Sequence, residues 1–193
     1  MKYIFVVSLA LMLFTGRAYA NPPPYVGCTL VNPSDPKITI VEFGDFACPY
    51  CSMAEQTMKR VLTDYPGEVK IVYRNILKHG PISLAAAKAF EAVCLQSPNV
   101  AYDYYKTLYR HQNQLSDSFL IKTAGNLNID IPKMKADMES AVVAERISAD
   151  KKMADENHFN VTPSFLIGTQ PVSGLYRRYS DFTNIIQEQL QGK

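Results

Sequence analysis

Two cysteines separated by two residues, Cys48 and Cys51, constrain this chain more than any other feature. They follow a stretch rich in β-branched and aromatic residues, 38–44, and precede a stretch of helical character, 52–65. Unpaired N–H groups and the helix dipole favour negative charge at a helix start. Pro49 suits that start, because its fixed φ fits and its missing N–H would have no partner there. Since the thiolate is the reactive form of cysteine, the pattern predicts an activated Cys48 and a disulfide that can open and close.

The alternative for this pair is a structural disulfide or half of a zinc site. A structural zinc ion takes about four ligands. The sequence has no second Cys-X-X-Cys, and its three histidines show no ligand spacing: His79, His111 and His158. We therefore favour redox chemistry and expect neither a metal nor another cofactor. Cys48 is expected to be exposed and Cys51, one turn into the helix, to be buried.

The first twenty residues have the pattern of a secretory signal peptide. A positively charged start precedes an almost unbroken apolar run over residues 3–14, and small residues surround the expected cleavage site after Ala20. The run is too short to span a bilayer, which takes about 20 residues. We expect residues 1–20 to be removed and residues 21–193 to be exported to the periplasm, an oxidising compartment in which disulfides persist.

The charge balance of the exported part argues against nucleic-acid binding. The whole chain has 20 basic and 18 acidic residues, and the expected signal peptide contains two of the basic ones and no acidic one. The remaining chain is formally neutral and has no basic tract, so nucleic acid is not an expected partner. Its length fits a single domain with a sizeable core. The stretch before Cys28 leaves no room for a dimerisation domain, which predicts a monomer.

Hydrophobic periodicity predicts an α/β protein with the element order β, α, β, a block of helices, then β, β, α. The block, over about residues 83–157, lacks strand partners and is expected to be a helical subdomain inserted into the domain. Tyrosines at 102–109 are expected to pack in its core and on its helix surfaces, and Ser180 is expected to cap the last helix. The result would be a mixed four-stranded sheet with flanking helices, built from strands at 38–44, 69–77, 164–167 and 172–175. A further short strand at 28–31 is compatible with the pattern.

Two segments of the chain resemble those of a known family. Residues 41–51 are similar to the active-site segment of the DsbA-like branch of the thioredoxin superfamily, and residues 159–168 resemble that branch's cis-proline segment. The helical block between them matches as well, so the resemblance covers effectively the whole exported chain. It implies a thioredoxin-like fold and the chemistry of a thiol-disulfide oxidoreductase.

The resemblance also implies roles for single residues. Cys48 matches the attacking thiol and Cys51 the resolving thiol. Glu42 matches a buried acid that assists proton transfer at the resolving cysteine, whereas its pattern alone is equally compatible with an edge position that reaches solvent. Thr162 and Pro163 match a cis-proline loop on which an extended substrate would add as a strand. Only the resemblance supports a cis bond there, because about 5–6% of X–Pro bonds in folded proteins are cis.

One position departs from the family pattern and leaves the direction of electron flow open. Strongly oxidising members often carry histidine where this chain has Tyr50, and tyrosine brings no positive charge to the thiolate. The expected function is oxidation of cysteine pairs in unfolded or partly folded exported proteins, with reoxidation by a membrane oxidoreductase or a small-thiol pool. Disulfide reduction or isomerisation, or exchange with glutathione, is the alternative. A non-catalytic chaperone or binding module is the remote one.

The two remaining cysteines, Cys28 and Cys94, allow two interpretations. Free thiols are a liability in an oxidising compartment, which favours a structural disulfide between them. Cysteine is also a common small buried hydrophobe. The sequence does not give the distance between the two residues, so both interpretations stay open.

Overall fold

The computed structural model of the protein describes residues 27–174 and 178–191, which form a mixed sheet with helices around it. The expected signal peptide lies outside the described residues. Within them, no helix is both long enough and apolar enough to cross a membrane. The strands are β1 (Cys28–Val31), β2 (Ile38–Gly44), β3 (Val69–Asn75), β4 (Ser164–Ile167) and β5 (Gln170–Ser173). The helices are α1 (Pro49–Asp64), α2 (Pro81–Gln96), α3 (Pro98–Arg110), α4 (Asp117–Asn126), α5 (Ile131–Met138), α6 (Ala141–Glu156) and α7 (Tyr179–Gln191).

The sheet has the strand order β1-β3-β2-β4-β5. Strands β2 and β3 are parallel and joined by α1, while β1, β4 and β5 each pair antiparallel with a neighbour. The mixed sheet with flanking helices is therefore confirmed, but it has five strands, because the short segment at 28–31 pairs with the outer edge of β3. Strand β5 begins at Gln170, two residues before the predicted strand, whose last residue, 175, lies outside the described residues.

Local sequence signals account for the starts of two helices. Pro49 is the first residue of α1, as predicted. The Ser116 hydroxyl caps α4 by accepting a hydrogen bond from the N–H of Phe119 at 3.3 Å. The prediction that Ser180 caps the last helix is wrong, because α7 already begins at Tyr179 and places Ser180 inside the first turn.

Helices α2 to α6 form the block between β3 and β4, and buried charges tie that block to the end of β3. Arg74 and Asp150 form an ion pair at 3.0 Å, and both side chains are buried. The Asn75 amide donates to Glu91 at 2.8 Å and to Asp150 at 3.0 Å, while Arg146 lies 3.2 Å from Glu91. Because a buried charge is costly unless it is paired, this network fixes how α2 and α6 meet the sheet.

Aromatic side chains fill the space between the sheet and the helical block. Tyr104, Tyr105 and Tyr109 are buried, which confirms the predicted core packing, while Tyr102 is partly buried at its edge. Gly44 is required at the end of β2, because a Cβ there would lie 2.8 Å from the hydroxyl of Tyr109. Neighbouring rings in this cluster have centroids about 5 to 6.5 Å apart and belong to Phe46, Tyr73, Phe90, Tyr105 and Tyr109.

A disulfide joins the edge strand to the helical block. Cys28 on β1 is bonded to Cys94 on α2, with the two Cα atoms 6.2 Å apart and 66 residues apart in sequence. Of the two interpretations left open by the sequence, the structure therefore supports the bridge. It connects the first strand of the sheet directly to the first helix of the block.

Replacing Cys28 and Cys94 with alanine should lower the free energy of unfolding by about 2–5 kcal/mol, because the bridge restricts a long loop in the unfolded chain. Urea denaturation measures the loss. The comparison is made in a Cys48→Ala/Cys51→Ala background, with the bridge intact as control, so that no thiol can exchange. An unchanged free energy of unfolding would contradict a stabilising bridge.

Candidate active site

The two central cysteines lie where β2 ends and α1 begins. Cys48 occupies the N-cap position of α1, and its N–H donates to the Asp45 carbonyl at 2.9 Å. The N–H of Cys51 donates to the Cys48 carbonyl at 3.0 Å, which sets both residues in one tight turn. Both thiols are free in this structure. Across the described residues, no three His, Cys, Asp or Glu side chains are grouped so as to hold a metal ion.

Cys48 is not exposed, contrary to the prediction. It is 3% exposed, and Cys51 is fully buried as expected. Cys48 lies at the bottom of a groove of about 540 Å³, whose walls include Tyr50, His79 and Val161. The position at the start of α1 would by itself leave Cys48 exposed to solvent. Residues from segments distant in sequence, among them His79 and Val161, surround it and bury it. A reacting partner must therefore enter the groove to reach the sulfur.

The pKa of Cys48 is lowered from 9.0 to about 5. The largest cause is a hydrogen bond from the Cys51 thiol, and the Thr162 side chain and the backbone N–H groups of Cys51 and Tyr50 add to it, while burial opposes it. The helix start contributes as the sequence predicts, but it is not the main cause. Cys48 is consequently a thiolate at neutral pH in the reduced protein.

The pKa of Cys51 moves in the opposite direction. Burial raises it first, followed by the hydrogen bond to Cys48 and by the negative charges of Cys48 and Glu42. The N–H of Asp45 lies 3.5 Å from the Cys51 sulfur and opposes the rise only in part. Cys51 therefore keeps its proton at neutral pH and can donate a hydrogen bond to the Cys48 thiolate. The two cysteines thus have separate roles, Cys48 as the anion and Cys51 as the hydrogen-bond donor.

Glu42 is a fully buried acid in the central strand β2. The Tyr105 hydroxyl donates to its Oε2 at 2.7 Å, and Oε1 has no hydrogen-bond partner among the described residues. Burial raises its pKa from 4.5 to about 8, with a smaller contribution from the charge of Glu55, while the bond from Tyr105 opposes the rise. The interpretation of Glu42 as an edge residue is wrong, because β3 and β4 flank β2 on both sides.

The proline loop expected opposite the cysteines lies there. The Thr162–Pro163 peptide bond is cis. The Cys48 sulfur lies 3.5 Å from the Thr162 carbonyl oxygen, although 114 residues separate them in sequence. Tyr50 and Val161, at 42% and 48% exposure, make the rim of the groove apolar beside the sulfur.

Asp45 is a residue of the site that the sequence analysis missed. Its side chain is fully buried and accepts four hydrogen bonds at 2.7 to 2.9 Å. The donors are the N–H groups of Ala47 and Lys78, the His79 ring and the Ser83 hydroxyl. The only sequence signal for a role of Asp45 is that an aspartate directly follows a buried strand. That signal does not show which distant groups donate hydrogen bonds to its carboxylate. Asp45 joins the turn before Cys48 to the segment that follows β3.

Gln112 and Tyr105 were missed as well, and both come from the helical block. The Gln112 amide donates to the carbonyls of Phe46 at 2.6 Å and of Cys48 at 2.9 Å. Tyr105 holds the acid on β2. The pattern around these two residues indicates helix packing and nothing more. The block therefore supports the cysteine turn directly as well as covering the sheet.

Comparison with known proteins agrees with this arrangement. A family model described as thioredoxin matches residues 33–188. Among solved structures, a thioredoxin-like oxidoreductase from Silicibacter pomeroyi DSS-3 has a TM-score of 0.75 and 25% identity, covering 83% of this chain and 91% of that one. Oxidised BdbD from Bacillus subtilis has a TM-score of 0.78 and 23% identity, covering 86% of this chain and 94% of that one.

Curated relatives fall into two groups by length. Disulfide bond formation protein D of Bacillus subtilis is 24% identical over 188 residues, which is 91% of this chain and 83% of that protein. Na(+)/H(+) antiporter NhaA 3 of Salinispora tropica is 30% identical over 146 residues, which is 75% of this chain. The chain spans only 22% of that antiporter.

Alkylation of the reduced protein by iodoacetamide should follow a titration with a midpoint near pH 5, because the Cys48 thiolate is the reacting species. In Cys51→Ala the midpoint should rise, since the largest cause of the lowered pKa is removed. The rate is measured against pH by mass spectrometry. A wild-type midpoint at the ordinary cysteine value of about 8.5 would contradict the geometry.

Proposed function

This chain belongs to the thioredoxin family, and on that premise we propose that it is a thiol-disulfide oxidoreductase that oxidises cysteine pairs in exported proteins. The observation that carries the proposal is the placement of Cys48 and Cys51 in one turn at the start of α1, where the Cys51 thiol and backbone N–H groups lower the pKa of Cys48 to about 5. Stabilising the thiolate stabilises the reduced protein, which makes its disulfide a stronger oxidant. The names of its relatives, disulfide bond formation protein D and a thioredoxin-like oxidoreductase, support the same chemistry.

Oxidation of a substrate proceeds in two exchanges. A substrate thiolate attacks the Cys48 sulfur of the Cys48–Cys51 disulfide, and the electron pair of the broken bond goes to Cys51, which takes up a proton. A second substrate thiolate then attacks the substrate sulfur of the mixed disulfide and releases Cys48 as a thiolate. The substrate leaves as a disulfide and the protein gains two electrons. The low pKa of Cys48 makes it a good leaving group in the second exchange.

Glu42 handles the proton of the buried cysteine in this scheme. With a pKa of about 8 it holds a proton at neutral pH, which it can deliver when Cys51 leaves as a thiolate. In the reverse direction its carboxylate accepts the proton of the attacking Cys51 thiol. The Tyr105 hydroxyl orients the acid by its hydrogen bond to Oε2.

The groove favours unfolded or partly folded substrates. An extended polypeptide that enters the groove can lie along Thr162 and Pro163 and pair with the backbone there, which requires little sequence preference. The apolar rim at Tyr50 and Val161 suits the side chains that such chains expose. We place the protein in the periplasm as a monomer, with a membrane oxidoreductase or a small-thiol pool as oxidant. The pattern of residues 1–20 and the Cys28–Cys94 bridge support export.

The alternatives have less support. A reductase is expected to stabilise its Cys48 thiolate less, because stabilising the reduced protein makes its disulfide a stronger oxidant, and a non-catalytic chaperone would need neither a free dithiol nor a buried acid behind it. In an insulin reduction assay Cys48→Ala should be inactive, whereas a binding module would be indifferent to that change. Ion transport is not carried over from the antiporter, because the chain spans only 22% of it.

The reduction potential of the Cys48–Cys51 couple at pH 7 should lie nearer to about −120 mV than to about −270 mV, because the reduced form is stabilised. The potential is measured by equilibration with glutathione buffers of defined composition. Its pH dependence should change near pH 5, from about 59 to about 30 mV per pH unit, since one proton rather than two then accompanies the two electrons. A value near −270 mV would favour a reductase.

Glu42→Gln should slow the attack of Cys51 on a mixed disulfide at Cys48 by about tenfold or more, because the proton acceptor is lost. The raised pKa of Glu42 determines how the rate of this attack changes with pH. In the wild type, this rate should climb with pH and level off above about 8, where Glu42 becomes a carboxylate. Stopped-flow release of a chromogenic thiol measures it.

Glu55→Gln is the matched control, since it removes a half-buried acid from α1 that has no part in the proton transfer. It should keep the plateau rate and a profile that levels off, at a somewhat lower pH because the charge of Glu55 contributes to the raised pKa of Glu42. A Glu42→Gln profile that still levels off near pH 8 would contradict the assignment.

A further inference from the structure

The exchange mechanism leaves His79 without a role, although its side chain is titratable and lines the groove. His79 lies between β3 and α2 and lines the same groove as Cys48. Its side chain is 39% exposed, so the ring is in contact with solvent and with whatever enters the groove. The sequence offered His79 no role beyond that of a zinc ligand, and no metal cluster occurs among the residues described.

A buried carboxylate holds the ring of His79 in one orientation. The Nδ1 atom lies 2.9 Å from Oδ2 of Asp45, whose side chain is fully buried. The main chain is held as well, because the His79 N–H donates to the Ser83 hydroxyl at 3.1 Å and that hydroxyl donates to Asp45 at 2.9 Å. Lys78 gives its N–H to the same oxygen at 2.7 Å.

This arrangement also assigns the protons of the ring. The N–H of Lys78 can only donate, and the Ser83 hydroxyl donates since it accepts from His79. As a carboxylate, Asp45 can only accept hydrogen bonds, which makes Nδ1 the donor in its contact with Oδ2. In the neutral ring, Nε2 then carries the free lone pair. No hydrogen bond to Nε2 is made by the described residues.

A base at this place would accelerate the first exchange. A substrate cysteine has a pKa of about 8.5 and enters mostly as a thiol, while only the thiolate attacks a disulfide. Cys48 and Cys51 are bonded to each other at that stage, and Glu42 is fully buried behind them. Tyr50 and Lys78 are the other titratable groups of the groove. An ammonium has no acceptor site and a phenol is a poor base, which leaves the imidazole.

We propose that His79 is the general base that removes the proton from the incoming substrate thiol, with Asp45 as the residue that positions it; the inference rests on the function proposed above. Nε2 takes the proton, and the substrate sulfur keeps the electron pair and attacks the Cys48 sulfur. The Cys48–Cys51 bond breaks, and Cys51 receives its electron pair and a proton from Glu42. The Asp45 carboxylate stabilises the imidazolium until its proton passes to solvent, an arrangement of base and orienting acid that recurs in nucleophilic catalysis.

The test varies the acidity of the attacking thiol. Oxidised wild type and His79→Gln are mixed at pH 7 with a cysteine peptide or with 2-nitro-5-thiobenzoate, an aromatic thiol that is already a thiolate. The first exchange is followed by stopped flow in a single turnover. With the peptide, His79→Gln should be slower by about tenfold or more, because a general base contributes at least that much. With the aromatic thiolate, the two proteins should react at the same rate.

A second variant tests the base directly. In His79→Ala, added imidazole should restore the peptide rate in proportion to the concentration of its unprotonated form, and it should leave the aromatic thiolate reaction unchanged. His111→Gln is the matched control, because that ring packs against Phe119 with centroids 5.9 Å apart and does not line the groove. It should behave as the wild type with both thiols.

The outcomes separate this inference from the proposed function. If oxidised wild type exchanges with neither thiol, the proposed function is wrong. If the wild type reacts and His79→Gln equals it with the peptide, or is slowed equally with both thiols, His79 is not the base. Selective loss with the peptide, together with rescue by imidazole, supports the assignment.

Discussion

The hydrogen bond from the Cys51 thiol to the Cys48 sulfur is the interaction on which the rest of the site depends. It works only while Cys51 keeps its proton, and burial ensures this by raising the pKa of Cys51. The same burial would suppress ionisation of Cys48 if no donor compensated for it. Cys48 is thus stabilised as a thiolate because Cys51 remains protonated and donates a hydrogen bond to it. The start of α1 places the two cysteines at the spacing that this hydrogen bond requires.

Much of the remaining structure serves to hold that turn in place. From the sheet side, Asp45 binds the segment before Cys48 to the segment after β3. From the helical block, Gln112 binds the carbonyls of Phe46 and Cys48. The block is itself anchored by the buried charges at the end of β3 and by the bridge to β1. The sheet and the helical block therefore both hold the cysteine turn, on whose geometry the difference between the two pKa values depends.

Sequence patterns predicted most of the architecture, because helices and strands each produce a characteristic local periodicity of hydrophobic residues. The start of α1 at Pro49 follows from residues within a single turn. Errors arose where local signals were weak or competing. The edge strand β1 is only four residues long and is held by pairing with β3, and α7 begins one residue before the serine expected to cap it.

The sequence by itself determined the reactive pair, the strand and helix that carry it, and the family resemblance that indicates Glu42 and Pro163, since all of these lie in short contiguous segments. Only the tertiary structure decided that Cys48 lies at the bottom of a groove, that Tyr105 holds Glu42 and that Asp45 holds His79. These contacts join residues 34 to 114 positions apart. Helical and strand patterns report which side of an element is buried, but not which distant atom it meets, and pKa values depend on those atoms.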